Sequence, residues 1–126
     1  MSPDDFTEPK VTTQFPMEWN ALTSISQLDD IIAESAEMPV LIFKHSTRCG
    51  ISRMALRGFE LDFKPDDGMK PYYLDLLHFR EVSDAIASRF GVVHQSPQIL
   101  LVKDGQSIYD TSHGDIDAAK LSAKIR

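Results

Sequence analysis

The sequence predicts an α/β domain with a mixed central sheet flanked by helices, and three observations carry that prediction. Short runs rich in strand-forming residues alternate along the chain with segments of three- and four-residue apolar spacing. The first part of the chain repeats helix and strand, an order that joins parallel strands by crossover helices. Further on, Asp104-Gly105 separates two strand-like runs, the signature of a tight antiparallel hairpin.

Taken in order, residues 1–15 mix Ser, Pro, Asp, Glu and Thr with few large apolar side chains. They read as a flexible leader, which leaves residues 16–126 as the folded domain. Met17, Trp19 and Leu22 supply the first apolar anchors. The hydroxyls of Thr23 to Ser26 offer N-caps for a helix to about Ala36, with Ile25, Leu28, Ile31 and Ile32 on one face. Val40 to Phe43 is continuously apolar, as expected for a central strand covered on both faces. Ile51, Met54, Ala55, Leu56, Phe59 and Phe63 then keep helical spacing until Lys64-Pro65-Asp66-Asp67-Gly68 breaks it. Tyr72 to Leu77 is the next strand, and Glu81 to Phe90 a helix with Val82, Ala85 and Ile86 inward and Gly91 as its stop. Ile99 to Val102, read as a third strand of parallel topology, leads through the hairpin into Ser107 to Thr111. A helix over Asp115 to Ile125 closes the chain.

Composition narrows the function. A chain of 126 residues with 42% hydrophobic and 25% charged residues is an ordinary soluble domain with one core. The formal net charge of −6, with no basic cluster, argues against a nucleic-acid partner. The apolar runs are too short to span a membrane, and the acidic, polar N-terminus does not resemble a signal peptide, so a cytoplasmic location is expected. The histidines at 45, 78, 94 and 113 show no metal-ligand spacing and no cysteine partner, so no structural metal is expected. His45 and His94 either approach the site from flanking loops or are solvated loop residues. Trp19, Tyr72 and Tyr73 are expected to fill core surfaces, and Asp66, Asp67, Asp115 and Asp117 to serve turns and helix starts.

The chain has a single cysteine, Cys49, at the junction between the Val40 to Phe43 strand and the following helix. A cysteine that opens a helix presents its sulfur to unpaired backbone N–H groups and to the positive end of the macrodipole, both of which favour thiolate. The dipole supplies only about 0.3–1 kcal/mol, so a nearby cation is expected to help. Arg48 adjoins Cys49 and is the leading candidate; Lys44 and Arg53 either assist or are solvated surface charges. The polar approach from Lys44 to Arg48 marks an exposed junction, which favours a reactive thiol over a buried one. Ser52, one helical turn on, either donates a hydrogen bond to the thiolate or satisfies its own backbone at the helix start. It cannot form a disulfide, so a mixed disulfide on Cys49 must be resolved from outside the chain.

The stretch from Phe43 to Ser52, Phe-Lys-His-Ser-Thr-Arg-Cys-Gly-Ile-Ser, resembles the active-site segment of the YtxJ-type monothiol bacilliredoxins. The resemblance extends over nearly all of Leu22 to Ile125, including Phe90 to Gln98. It implies a thioredoxin-like fold and a cytoplasmic thiol-disulfide oxidoreductase that removes bacillithiol, or a similar low-molecular-weight thiol, from mixed disulfides on client proteins. The catalytic set is then Cys49, Ser52 and Arg48, with Thr47, Gly50, Ser96, Pro97 and Gly114 lining the substrate surface. Partners are S-thiolated proteins and the small thiol, a co-substrate; no tightly bound cofactor is implied. Two-cysteine thioredoxins usually carry a buried carboxylate six positions before the nucleophile, where this chain has Phe43. Thioredoxin-fold proteins also resemble one another in a cis proline opposite the cysteine. The Ser96-Pro97 bond is expected to be that feature, with Ser96 N–H and C=O open to an extended client; the alternative is a trans proline that merely starts a strand. Gly114 either lets a ligand approach closely or relieves a turn. Cys-Gly-Ile-Ser also resembles the Cys-Gly-Phe-Ser of monothiol glutaredoxins, which keeps an iron–sulfur cluster carrier as the alternative function.

Overall fold

A computed structural model of the chain describes residues 18–63 and 68–124. The expected leader, Met17, the break at Lys64-Pro65-Asp66-Asp67, and Ile125 fall outside the described residues. The elements run β1 (Asn20–Ala21), α1 (Gln27–Glu34), β2 (Val40–His45), α2 (Gly50–Asp62), β3 (Lys70–Asp75), α3 (Arg80–Phe90), β4 (Gln98–Lys103), β5 (Gln106–Ser112), a 3₁₀ turn (His113–Asp115) and α4 (Ala118–Lys124). The sheet order is β1-β3-β2-β4-β5. β3 is parallel to both β1 and β2, while β4 is antiparallel to β2 and β5.

The strand alternation of β2 decides which helix covers which face. Val40 and Ile42 join Leu74, Leu100, Leu28, Ile31, Val82 and Ile86 in one buried cluster, so α1 and α3 cover that face. Leu41 and Phe43 join Ile99, Leu101, Phe59, Phe63 and Leu121 in the other, so α2 and α4 cover the opposite face. At the hairpin, Asp104 and Gly105 both take positive φ, 52° and 78°, as a tight hairpin turn requires. Gly91, at φ 66°, caps α3 in the left-handed conformation.

Four expectations change. β2 does not stop at Phe43 but continues through Lys44 and His45, both buried, because β3 still pairs with both positions and β4 with Lys44. β4 is antiparallel to β2 rather than a third parallel strand. The chain after α3 has already returned to the end of the sheet where β2 finishes, since His94 touches Lys44 and Gln98 pairs with it. Ile25, Ile51 and Met54 share helical spacing with core residues yet are exposed, because no element among the described residues packs over them. The last helix begins three residues later than expected, since His113–Asp115 forms a 3₁₀ turn and Asp117 Oδ1 accepts the Ala119 N–H at 2.9 Å.

Candidate active site

Cys49 is the N-cap of α2, in extended conformation (φ −100°, ψ 121°), and no side chain caps the open N–H groups of the helix behind it. It is the partly buried free thiol of the chain. Its own N–H donates to Ser46 O at 3.1 Å and its carbonyl accepts the Arg53 N–H at 3.0 Å, which fixes the turn that carries the sulfur. Thr47, Arg48 and Gly50 are exposed around it. Among the described residues the Arg48 side chain has no hydrogen bond or ion pair.

Ser52 is fully buried one turn along α2, and its surroundings differ from the expected contact with sulfur. Its Oγ lies 2.8 Å from His45 Nδ1 and accepts the Ser46 N–H at 3.1 Å. Among the described residues no hydrogen bond joins it to the Cys49 sulfur. Burial holds the His45 ring below its ordinary pKa; Asp75 opposes that effect and Arg53 adds to it. The Ser52 hydroxyl and His45 Nδ1 share one hydrogen bond whose donor is set by the histidine tautomer, and through it serine and histidine together anchor the loop ahead of Cys49 to the start of α2.

Lys44 is not a surface charge beside the thiol. It alternates with Phe43 and His45 and therefore points to the opposite face of the sheet, toward α3, where it is fully buried. Its Nζ donates to Ser83 O at 3.2 Å and lies 3.3 Å from His94 Nδ1, which also meets Ser83 Oγ at 3.2 Å. An ammonium has only donors, so His94 Nδ1 must accept, which requires the neutral ring. Burial lowers the Lys44 pKa to about 8 against the pull of Asp84. Burial, Lys44 and Arg80 push His94 down, again opposed by Asp84.

The second loop of the site carries a cis Ser96–Pro97 bond, as expected. It immediately precedes Gln98, the partner of Lys44, and so lies at the end of the sheet from which β2 runs into the Cys49 loop. Pro97 O accepts the His113 N–H at 3.0 Å, which brings the third loop and Gly114 to the same end. The Ser96 hydroxyl is buried without a partner, as is Gln98 Oε1, and among the described residues Ser96 N–H and C=O make no hydrogen bond. Gly114 faces open space: a Cβ there would meet nothing within 4 Å.

The expected site residues Thr47, Arg48, Cys49, Ser96, Pro97 and Gly114 thus lie on three loops at one sheet end, with Gly50 opening α2 directly after Cys49 and Ser52 buried in its first turn. Sequence reading missed the His45–Ser52 pair and the Lys44–Ser83–His94 cluster. The available signal was the period-two alternation, which continues past Phe43 if polar residues are allowed to be buried. Among the described residues no group of three or more His, Cys, Asp or Glu side chains is placed to hold a metal ion.

Comparison with known proteins agrees with this geometry. Residues 20–121 match the family model of the monothiol bacilliredoxin BrxC. A solved thioredoxin-fold protein, for which oxidoreductase activity has been suggested, is similar at 35% identity and a TM-score of 0.72, covering 83% of this chain and 90% of its own. Thioredoxin from Trypanosoma brucei brucei superposes with a TM-score of 0.67 at 18% identity, over 94% of this chain and 96% of that one. Thioredoxin from Malassezia sympodialis gives 0.65 at 22% identity, over 86% and 88%. These last two likenesses concern the fold alone.

Proposed function

The chain belongs to the monothiol bacilliredoxin family, and from that premise we propose that Cys49 removes bacillithiol, or a similar low-molecular-weight thiol, from mixed disulfides on client proteins in the cytoplasm. One observation carries the proposal: the single cysteine of the chain caps an open helix N-terminus, with no second cysteine to resolve what it binds.

The Cys49 thiolate attacks the small-thiol sulfur of the client mixed disulfide, forming a Cys49–small-thiol disulfide and releasing the client cysteine as thiolate. A second small-thiol thiolate then attacks the small-thiol sulfur on Cys49. Cys49 leaves as thiolate, and the two small thiols depart as their disulfide. The two electrons that reduce the client come from the small thiols, and no internal disulfide forms. Arg48, exposed next to Cys49 in the chain, completes the catalytic set, and Ser52 acts through His45 and Ser46 by holding the Cys49 turn. Among the described residues the Ser96 N–H and C=O make no hydrogen bond, which supports its role in pairing with an extended client, and Thr47, Gly50, Pro97 and Gly114 complete the surface. A reducing compartment keeps such a thiol free, which fits the cytoplasm.

The test is a client protein carrying either a bacillithiol or a glutathione mixed disulfide, with the matching free thiol as second reductant. Wild type should release bacillithiol faster than glutathione, and Cys49→Ser should release neither. Equal behaviour of wild type and Cys49→Ser would sink the proposal. Protein purified without oxygen should be colourless; visible absorption from a bound cluster would favour the iron–sulfur alternative, which needs further ligands from outside this chain.

A further inference from the structure

An open groove of about 480 Å³ runs between α2 and the segment from His113 to Lys120. Ile51, in the first turn behind Cys49, lines it together with Met54, and these side chains are 64% and 76% exposed. Large apolar side chains held in water beside a reactive thiol are contact surface in search of a partner.

Two further features have no explanation among the described residues. Gly58 stands within α2 and lines the groove, yet a Cβ built there would meet nothing within 4 Å. Glycine inside a helix is less favourable than alanine, and no packing constraint among the described residues demands it. Asp62 ends α2, where the helix dipole disfavours a carboxylate, and among the described residues it has no hydrogen bond or ion pair. With Asp115 and Asp117 it sets three carboxylates around the groove against the single ammonium of Lys120.

We infer that this groove seats the client polypeptide flanking the modified cysteine, and that it selects segments combining a large apolar side chain with Lys or Arg. The apolar residue lies against Ile51 and Met54, the cations meet Asp62 and Asp115, and Gly58 lets the docked backbone approach α2. Ile51 to Asp62 spans about 16 Å at the helical rise, which is roughly five residues of extended chain. The selected features therefore fall within about five positions of the client cysteine. The inference rests on the exchange chemistry of Cys49.

Three synthetic peptides test it, each with one cysteine capped as its bacillithiol mixed disulfide and, in a parallel set, as its glutathione mixed disulfide. They differ only in neighbours: leucine with two lysines, leucine with two glutamates, or serine and glycine alone. At low salt kcat/KM for the lysine peptide should exceed that for the glutamate peptide by about tenfold, a gap that narrows with added salt. In the double variant Asp62→Lys, Asp115→Lys the ratio should fall to about one or invert. Gly58→Ala should raise the melting temperature while lowering kcat/KM on the lysine peptide by about threefold or more.

Equal rates for the three peptides, a ratio that survives the charge reversal, or a Gly58→Ala variant as fast as wild type would overturn the inference. So would a wild-type dimer in solution that Met54→Glu dissociates, since the groove would then belong to a second copy. Reaction of Cys49 with bacillithiol disulfide, followed by mass spectrometry, separates the two levels. If Cys49 takes up bacillithiol but the peptides are not distinguished, only the groove assignment fails. If Cys49 takes up neither small thiol and no peptide is processed, the exchange chemistry and the groove fall together.

Discussion

The Ser52 hydroxyl lies 2.8 Å from His45 Nδ1, in a position where neither residue is open to solvent. The pair links the last residue of β2 to the first turn of α2 and brackets the four-residue loop that ends in Cys49. With the Ser46 N–H held by the same oxygen, the loop is anchored at both ends by one side chain.

Ser52→Ala leaves the Ser46 N–H and His45 Nδ1 without partners in a buried place, at about 1–3 kcal/mol for each orphaned group. We expect the variant to unfold at lower denaturant concentration with an unchanged m-value, and to release client thiol more slowly than wild type. Equal stability would mean that the loop does not depend on this hydroxyl.

The neutral His45 ring gives stability an acid limit. Its folded pKa is depressed, so the unfolded chain, with a value of about 6.5, binds the proton first as pH falls. This contribution is whole above about pH 6.5 and is lost progressively until the folded pKa is passed. His94 has the same sign. Urea unfolding from pH 8 to pH 5 should show the loss, with a shallower slope in His45→Gln and shallower again when His94→Gln is added.

How far the sequence discloses this site depends on the range of the interactions involved. The Val40 to Phe43 run, the Asp104-Gly105 hairpin, the Gly91 stop and the Cys49 helix start are local patterns, and the structure keeps each. Lys44 and His45 read as loop residues because polar side chains after an apolar strand signal its end. They are buried because Ser83 and His94, 39 and 50 positions away, and Ser52 across the loop satisfy them. β1, at two residues, carries too little pattern to be seen. Helical spacing put Ile51 and Met54 on a face, but spacing cannot say whether another element covers that face.

Lys44 makes a prediction at the alkaline side. Its folded pKa of about 8 lies below the unfolded value of about 10.4, so between those limits the unfolded chain holds more protons and stability rises with pH. The contribution is fully present above about pH 10.4 and lost as pH falls through 8. It amounts to something on the order of 3 kcal/mol across the window. Lys44→Met replaces a buried cation with an apolar chain of similar length and should remove this rise while remaining folded at neutral pH. The difference between variant and wild-type stability, measured at intervals from pH 7.5 to 10, checks it; a pH-independent difference would place the ammonium in water.

The last prediction converts the site into a self-resolving one. Cys49 and position 52 stand at the two ends of one helical turn, a separation within the range that a disulfide can bridge. In Ser52→Cys the new thiol takes the place of the Ser52 hydroxyl beside His45 Nδ1, which can accept its proton. The resulting thiolate attacks the Cys49 sulfur of the Cys49–bacillithiol disulfide, bacillithiol leaves as thiolate, and an internal disulfide remains. Wild type loaded with one bacillithiol should hold it until free thiol is added, whereas loaded Ser52→Cys should release it unaided, one equivalent per chain, and then require a dithiol for further turnover. Adding His45→Gln to Ser52→Cys should slow the unaided release, since the proton acceptor is lost. Retention of bacillithiol by Ser52→Cys would show that the buried side of the α2 start cannot deliver a second sulfur to Cys49.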